Sequence, residues 1–186
     1  TLEELDSYCI GDSKFVGLVE NVVPEIPFGI GSMGMGFPAA VGFALSKNMK
    51  KEEGTVYCLM SDGEMNCGTT WEAALIAAQH RLDNLVVVID RNLLQAMGST
   101  EDVLALEPLD RKWRSFGWSV EIVDGHVHEN IDAMIDYRFQ FQETPFCIIA
   151  NTTKGKGWKR AENQNLYHYK QLSQEEYEEA KKELNN

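Results

Sequence analysis

Short, continuously apolar segments constrain the fold of this chain more than any other feature of its sequence. Three of them, at residues 55–60, 84–90 and 146–150, are predicted to be strands, and residues 119–124 form a fourth, more polar candidate. A strand that is apolar throughout is buried on both faces, whereas a half-exposed strand alternates polar and apolar residues. Helical segments alternate with these strands, at residues 34–47, 71–82, 103–116 and 128–141.

This alternation predicts an α/β fold in three layers, with helices on both faces of a mostly parallel sheet. We expect a single domain over residues 1–186, with a loop-rich segment at 1–33 and a charged surface helix at 173–184. Ligands of such sheets bind beyond the carboxyl ends of the strands. The loops that follow the strands are therefore where functional residues are expected.

Two helix starts have recognisable capping residues. Ser173 and Glu176 have the spacing of a capping box, in which each side chain bonds to the backbone of the other residue. Thr69 or Thr70 is the expected N-cap of the helix at 71–82.

The charge balance excludes several classes of partner. Seventeen basic residues stand against 29 acidic ones, the formal net charge is −12, and the isoelectric point is near 4.7. Nucleic acids and anionic membranes attract basic surfaces, so neither is expected as a partner. A phosphate ligand would need a metal ion or a helix N-terminus to supply positive charge.

Further patterns indicate a cytoplasmic protein. The longest aliphatic run, residues 85–89, is far shorter than the ~20 residues that span a bilayer. The N-terminus is acidic and lacks the apolar core of a signal peptide. The four cysteines form no C-x-x-C pair, which argues against zinc, and Cys58 and Cys147 lie in apolar segments as expected for buried, reduced thiols.

The strongest functional signal lies at two strand ends. Asp62 and Gly63 follow the first strand, and Asn92 follows the second, thirty positions after Asp62 with one helix between them. A carboxylate, an amide oxygen and a nearby backbone carbonyl are hard oxygen ligands suited to Mg²⁺. Gly63 would let the backbone approach a diphosphate closely. Asp, Asn and Gly are also the usual residues of turns and caps, and an isolated pair of this kind would be interpreted in that way.

Within an ordered set of further motifs, these residues resemble the thiamine diphosphate motif of transketolases. The resemblance is greatest to the N-terminal subunit of split, two-chain bacterial transketolases, and it extends over nearly the whole chain. The motifs that carry it are Leu2-Glu3-Glu4-Leu5, Gly31-Ser32-Met33-Gly34, Asp62-Gly63-Glu64-Met65-Asn66, Trp71-Glu72-Ala73-Ala74, Leu82-Asp83-Asn84-Leu85, Phe116-Gly117-Trp118, Asp124-Gly125-His126 and Thr153-Lys154-Gly155-Lys156-Gly157.

The resemblance implies a thiamine diphosphate-binding fold and a set of site residues. The implied Mg²⁺ ligands are Asp62, Asn92 and the carbonyl of Leu94. The implied cofactor contacts are Gly31, Met33, Asp62, Gly63, Glu64, Asn92, Leu94 and His168. His168 matches a histidine that faces the diphosphate and the substrate, which makes it the candidate catalytic residue.

The resemblance also implies a partner. The glutamate that activates the cofactor comes from a pyrimidine-half chain or domain, so this chain would hold the diphosphate half of a shared site. The expected assembly is a homodimer or heterotetramer that transfers a two-carbon ketol unit between sugars, which makes it a transferase.

Some positions depart from the family pattern. Leu18 and Met35 stand where the family has histidines, Cys67 replaces a glutamate, and Met97 replaces an aspartate. The family also has some sixty residues upstream of the first residue of this chain, including a further histidine near the diphosphate. These departures motivate an alternative, a cofactor-binding or scaffolding subunit without catalysis. Another alternative is the α-subunit of a 2-oxo acid dehydrogenase, which shares the metal motif.

Other motifs are weaker. Residues 29–34 read G-x-G-x-x-G, but no strand precedes them and no acidic residue ends a second strand at the distance that NAD binding requires. His168 could instead form a packed surface pair with Tyr167. Met33 could belong to the core rather than to a ring-binding wall. The glycine-lysine segment 154–157 is equally consistent with a basic surface loop and with a phosphate-side loop.

Overall fold

The protein is described by a computed structural model over residues 6–11, 13, 15, 17 and 28–185. The main sheet has four strands in the order β1-β2-β6-β5, and all neighbouring strands are parallel. Its strands are β1 (Val56–Ser61), β2 (Leu85–Arg91), β5 (Ser119–Asp124) and β6 (Phe146–Asn151). A two-stranded antiparallel hairpin, β3 (Leu94–Gln95) and β4 (Gly98–Ser99), follows β2.

Six α-helices and three short 3₁₀ helices complete the described structure. The α-helices are α1 (Gly36–Lys50), α2 (Gly68–Gln79), α3 (Thr100–Leu104), α4 (Leu109–Ser115), α5 (His128–Tyr137) and α6 (Gln174–Leu184). The 3₁₀ helices span Asp62–Asn66, Arg138–Gln140 and Asn165–His168.

The register of the sheet aligns the carboxyl ends of its strands. Ser61 of β1 is paired with Asp90 of β2, and Asp90 is paired with Ala150 of β6. Residues that follow these strands therefore emerge side by side at one edge. The three-layer α/β architecture with a parallel sheet is confirmed.

One face of the sheet carries the larger core. Helices α1, α2 and α4 pack there on the strands, and the core is rich in aromatic rings. Trp113 lies at its centre and contacts Phe37, Trp71 and Trp118, with ring centroids 4.8 to 5.8 Å apart. Aromatic side chains bury large apolar areas, so this cluster fixes the position of α1 and α4 relative to the sheet.

The other face carries a smaller core under α5. Val86, Phe146 and Ile148 of the sheet are fully buried there against Met134 and Ile135 of the helix. The central strands β2 and β6 thus face helices on both sides, which is the physical reason for their continuously apolar segments. No helix among the described residues is long and apolar enough to cross a membrane.

The prediction of burial on both faces fails for β1, which is an edge strand of the described sheet. Val56, Cys58 and Met60 face the larger core. Tyr57 and Leu59 on its other face are 51% and 76% exposed.

The predicted N-cap of α2 is wrong. The helix begins at Gly68 with Cys67 as its N-cap, and that cap makes no side-chain hydrogen bond. The hydroxyls of Thr69 and Thr70 are instead used in tertiary contacts, because they donate to the carbonyl oxygens of Gly34 and Glu64 at 2.7 and 3.1 Å. Sequence alone could not distinguish a capping hydroxyl from one that ties two loops together.

Other boundaries shift more modestly. Helix α1 begins and ends a few residues later than predicted, and the segment 103–116 splits into α3 and α4 around the cis bond Glu107–Pro108. Helix α5 stops at Tyr137 and continues as a 3₁₀ turn. The β3–β4 hairpin was not predicted at all, because two-residue strands have no periodicity to detect.

The C-terminal helix confirms its predicted cap. Ser173 accepts from the backbone N–H of Glu176, and the Glu176 carboxylate accepts from the backbone N–H of Ser173. Glu176 also pairs with Lys170 and accepts from the Tyr167 hydroxyl, and these contacts lower its pKa to about 2. The helix is therefore attached to the loop that carries residues 165–170.

We predict different costs for two similar core substitutions. The indole N–H of Trp118 donates to the carbonyl of Ala74 at 3.0 Å, whereas the indole N–H of Trp113 is buried without a partner among the described residues. Trp118→Phe and Trp113→Phe remove the same ring volume, but only Trp118→Phe removes a hydrogen bond. Urea unfolding should show Trp118→Phe to be less stable by roughly 1 kcal/mol. Equal losses for the two variants would contradict this interpretation of the core.

Candidate functional site at the carboxyl edge of the sheet

Asp62 is the first residue after β1, and its carboxylate is almost completely buried at 1% exposure. Its Oδ2 atom accepts a hydrogen bond of 2.7 Å from the backbone N–H of Leu93, which follows β2. Its Oδ1 atom is buried and has no hydrogen-bond donor among the described residues. The two strand tips that sequence spacing placed together are therefore in direct contact.

The turn after β2 is shaped to make this contact. Leu93 has a φ of +66°, a left-handed conformation that is unusual for a residue with a branched side chain. Asn92 supports the turn, because its Oδ1 atom accepts from the backbone N–H of Leu94 at 3.0 Å. The resulting turn directs the N–H of Leu93 toward Asp62.

The electrostatics of Asp62 are unfavourable without a cation. Burial raises the pKa of its carboxyl, while the backbone hydrogen bond from Leu93 and the nearby backbone N–H of Gly63 oppose that rise. The neighbouring charge of Asp90 raises the pKa further, and that of Arg91 lowers it. A buried carboxylate with one unpaired oxygen gains free energy from a positively charged ligand.

The donor atoms at this edge fit Mg²⁺. Asp62 Oδ1 has no hydrogen-bond donor among the described residues, Asn92 Oδ1 has one donor and a second lone pair, and the Leu94 carbonyl belongs to the same turn. All three are hard oxygens of the kind that Mg²⁺ binds, and a hydrated Mg²⁺ needs only a few protein ligands. A bound cation would explain why Oδ1 of Asp62 is buried without a hydrogen-bond donor among the described residues.

Gly63 lies where the chain leaves β1 for the 3₁₀ turn. A Cβ atom placed there would lie 3.4 Å from Cγ of Gln95, a residue held by its own bond to Asn66 at 2.8 Å. A Cβ at position 63 would therefore make only an ordinary contact with the hairpin after β2, whereas glycine leaves the backbone open to the approach of a ligand.

A second loop, residues 31–34, is tied directly to the 3₁₀ turn. The Glu64 carboxylate accepts from the backbone N–H of Gly34 at 3.0 Å, and the Thr69 hydroxyl donates to the carbonyl of the same glycine. Gly34 has a φ of +80°, and a Cβ there would lie 2.6 Å from Thr69 Oγ1 and 2.8 Å from Cys67 Cβ. The glycine-rich loop and the turn that begins at Asp62 thus form one unit.

This unit borders a cleft of about 260 Å³. Gly31, Met33, Cys58, Leu59 and Glu64 are among its lining residues. Met33 is 62% exposed, so it belongs to a wall and not to the core. Glu64 contributes the cleft's carboxyl, and burial raises its pKa.

His168 lies on the 3₁₀ helix 165–168, at a surface position. Asn165 of the same helix donates to the carbonyl of Ala96, so this helix is anchored to the hairpin that carries Leu94. Burial and the nearby positive charge of Lys154 lower the pKa of His168. Its ring contacts Tyr169, with centroids 4.7 Å apart, rather than Tyr167, which packs on Trp158.

Two substituted positions lie close to this arrangement. Cys67 is the N-cap of α2 and approaches Gly34, and its thiol is free. Met35 is 54% exposed beside the glycine-rich loop. Leu18 and the motif at residues 2–5 lie outside the described residues.

Sequence reasoning missed several residues that organise the site. The N–H of Leu93 and the hydroxyl of Thr69 make its main fixed contacts, and neither residue type is informative in a sequence. Asp90 was treated only as a strand end, yet it contacts both Asn92 and Thr152. The Asp-x-Asn spacing at the end of a buried strand was the available signal for Asp90.

The fold and the donor set define the class of protein: an α/β domain with a candidate cation and diphosphate site at the carboxyl edge of a parallel sheet. Residues 1–185 match the family model described as the thiamine diphosphate binding domain of transketolase. The chain therefore belongs to the family of transketolase thiamine diphosphate-binding domains.

Named relatives include transketolase subunits. The chain is 39% identical over 183 residues to a subunit of apulose-4-phosphate transketolase from Actinobacillus succinogenes, and the match covers 97% of this chain and 65% of the relative. It is 41% identical over 154 residues to the 6-deoxy-6-sulfo-D-fructose transketolase subunit SqwG of a Clostridium species, and that match covers 83% of this chain and 56% of the relative. The chain thus spans less than two thirds of the length of these relatives.

Solved structures show the same fold. The crystal structure of transketolase from Campylobacter jejuni superimposes with a TM-score of 0.87 at 27% identity, and the match covers 100% of this chain and 30% of that one. The sheet and its flanking helices are therefore those of a transketolase N-terminal domain.

We predict that Gly34→Ala disrupts the unit formed by the glycine-rich loop and the 3₁₀ turn. The added methyl would overlap Thr69 and Cys67, and the left-handed backbone is itself unfavourable for alanine. The expected loss is roughly 1–3 kcal/mol in the free energy of unfolding, measured in urea.

Gly31→Ala is the matched control, because a Cβ at Gly31 has no atom within 4 Å. It should leave the free energy of unfolding nearly unchanged. Similar losses for both variants would mean that Gly34 is not held as described.

Proposed function

We propose that this chain binds thiamine diphosphate through Mg²⁺ and forms the diphosphate half of a two-chain transketolase. Residues 1–186 would act as one domain, with the loop-rich segment 1–33 and the C-terminal helix 173–184 as parts of it. The supporting observation is Asp62, whose buried Oδ1 atom lacks a donor among the described residues, beside Asn92 and the turn that carries Leu94. Membership of the family supports the same conclusion.

Each candidate residue has a defined task in this proposal. Asp62, Asn92 and the carbonyl of Leu94 would hold the cation, which neutralises the diphosphate in an otherwise acidic chain. The absence of a side chain at Gly63 would admit the diphosphate next to the backbone. The bound cofactor would supply a nucleophilic carbon and an electron sink.

The cleft residues would orient the rings of the cofactor. Gly31 and Met33 would form the wall against them, and Glu64 would hold that wall in place through Gly34. The lowered pKa of His168 favours its neutral imidazole, which would be able to accept a proton at the diphosphate side of the site.

The proposed site is incomplete without a second chain. We propose that the partner is a pyrimidine-half subunit, in a homodimer or a heterotetramer, because relatives are named as subunits of transketolases. A cytoplasmic location is proposed from the reduced cysteines and a cofactor-dependent sugar reaction.

The names of the relatives indicate a substrate class. Apulose 4-phosphate and 6-deoxy-6-sulfo-D-fructose are ketoses with an anionic group on the chain. We propose that this chain serves the transfer of a two-carbon ketol unit from a ketose that carries a phosphate or sulfonate.

A scaffolding subunit without catalysis is the second candidate. It is favoured by Cys67 and Met35, which stand at the glycine-rich loop where the resemblance implies glutamate and histidine. Ketol transfer and 2-oxo acid decarboxylation should be assayed together in the presence of the partner chain. Cofactor binding without either reaction would support the scaffold, and decarboxylation alone would support a dehydrogenase-type subunit.

We predict opposite effects of Asp62 substitutions on binding and on stability. Asp62→Ala removes the full negative charge of the proposed ligand set, so Mg²⁺-dependent binding of thiamine diphosphate should be lost in calorimetry. Asp62→Asn keeps an acceptor for the Leu93 N–H but removes a buried charge. It should weaken Mg²⁺ binding while raising the melting temperature measured without metal.

The thermal melts and the calorimetry are independent. Unchanged cofactor affinity in Asp62→Ala would overturn the proposed metal site. A lower melting temperature of Asp62→Asn without Mg²⁺ would mean that the carboxylate stabilises the fold and is not reserved for a cation.

A further inference from the structure

Asp90 makes contacts that the proposed function does not use. It lies near the end of β2, and its Oδ1 atom accepts hydrogen bonds from the Thr152 hydroxyl and from Nδ2 of Asn92, the latter at 3.4 Å. Its side chain thus bridges the neighbouring strand and the amide of a proposed metal ligand.

The Thr152 side of this bridge is fixed by the sheet. Asp90 is paired with Ala150 of β6, and beyond the end of that strand the backbone N–H of Thr152 still donates to the carbonyl of Arg91 at 3.2 Å. The backbone of Thr152 is therefore held beside β2, within reach of Asp90, and its hydroxyl completes the bridge by donating to the Asp90 carboxylate.

The Asn92 side of the bridge depends on the orientation of the Asn92 amide, that is, on whether Nδ2 or Oδ1 faces Asp90. A carboxylate that receives the Thr152 hydroxyl hydrogen can only accept further bonds, so Nδ2 of Asn92 must face it. The N–H of Leu94 can only donate, so Oδ1 of Asn92 must face that group, at 3.0 Å. Both contacts specify the same orientation, and they leave one lone pair of Oδ1 for a further ligand.

From this geometry we propose that Asp90, anchored by Thr152, is a positioning residue that orients the Asn92 amide with its oxygen toward the cation. This inference rests on the proposed function, because the proposed function is what assigns Asn92 as a metal ligand. An amide that turned over would present hydrogens to a cation and would repel it. Partners that orient metal ligands typically change metal affinity about 10- to 100-fold when they are removed.

The test is a calorimetric titration of Mg²⁺ into the chain assembled with its pyrimidine-half partner, in the presence of saturating thiamine diphosphate. Asp90→Leu has a similar size and no acceptor, so its Mg²⁺ affinity should fall about 10- to 100-fold. Asp90→Asn keeps an acceptor oxygen and should restore most of that affinity. Thr152→Val should cause a smaller loss in the same direction, and it keeps the inference testable if Asp90→Leu does not fold.

Asp124→Leu is the matched control. Asp124 ends β5 on the same edge of the sheet, but its carboxylate accepts from the backbone N–H of His126 instead of from Asn92. The substitution removes one negative charge from the same edge and should leave the Mg²⁺ affinity within about twofold of wild type.

Each outcome is decisive. Equal losses of Mg²⁺ affinity in Asp90→Leu and Asp90→Asn would show that Asp90 acts through its negative charge and not through its hydrogen-bond acceptor. That result would overturn the positioning role. Unchanged Mg²⁺ affinity in folded Asp90→Leu or Thr152→Val, whatever the melting temperature, also overturns it. Absence of Mg²⁺-dependent thiamine diphosphate binding in the wild-type chain assembled with its partner subunit would instead refute the proposed function itself.

Discussion

The hydrogen bond between the backbone N–H of Leu93 and the carboxylate of Asp62 is the contact on which the site depends. It joins the tips of β1 and β2, the two strands whose register already brings Ser61 beside Asp90. With one carboxylate oxygen held in this way, the other points where no group of the described residues donates to it. This one hydrogen bond fixes the orientation of the Asp62 carboxylate. The second carboxylate oxygen has no donor among the described residues and is therefore available to a cation.

The same region is locally unfavourable in several ways. Asp62 is buried with a raised pKa, Leu93 has a left-handed backbone, and a second carboxylate, Asp90, lies nearby. Such features destabilise a fold unless the surrounding structure compensates for them, and they concentrate at functional sites. Here that surrounding structure consists of the parallel strands on which the region stands and the aromatic core around Trp113.

Gly34 connects the two halves of the proposed cofactor site. Glu64, two residues after Asp62, bonds to the N–H of Gly34, and Thr69 bonds to its carbonyl. A shift of the turn at Asp62 would therefore move the wall that carries Met33. The metal side and the ring side of the site are mechanically one unit, although thirty residues separate Gly34 from Glu64.

The sequence by itself determined the order of strands and helices, the three-layer class and the approach of Asp62 to Asn92. The apolar runs of β2 and β6 record burial on both faces, although that of β1 does not, and two parallel strands separated by one helix must end at the same edge. Tertiary structure alone decided the rest. Thr69 and Thr70 bond to distant carbonyls instead of capping α2, the hairpin after β2 forms without periodicity, and Asp90 turns toward Asn92 and Thr152. These choices depend on which polar groups meet once the chain has packed, and a linear pattern does not contain that information.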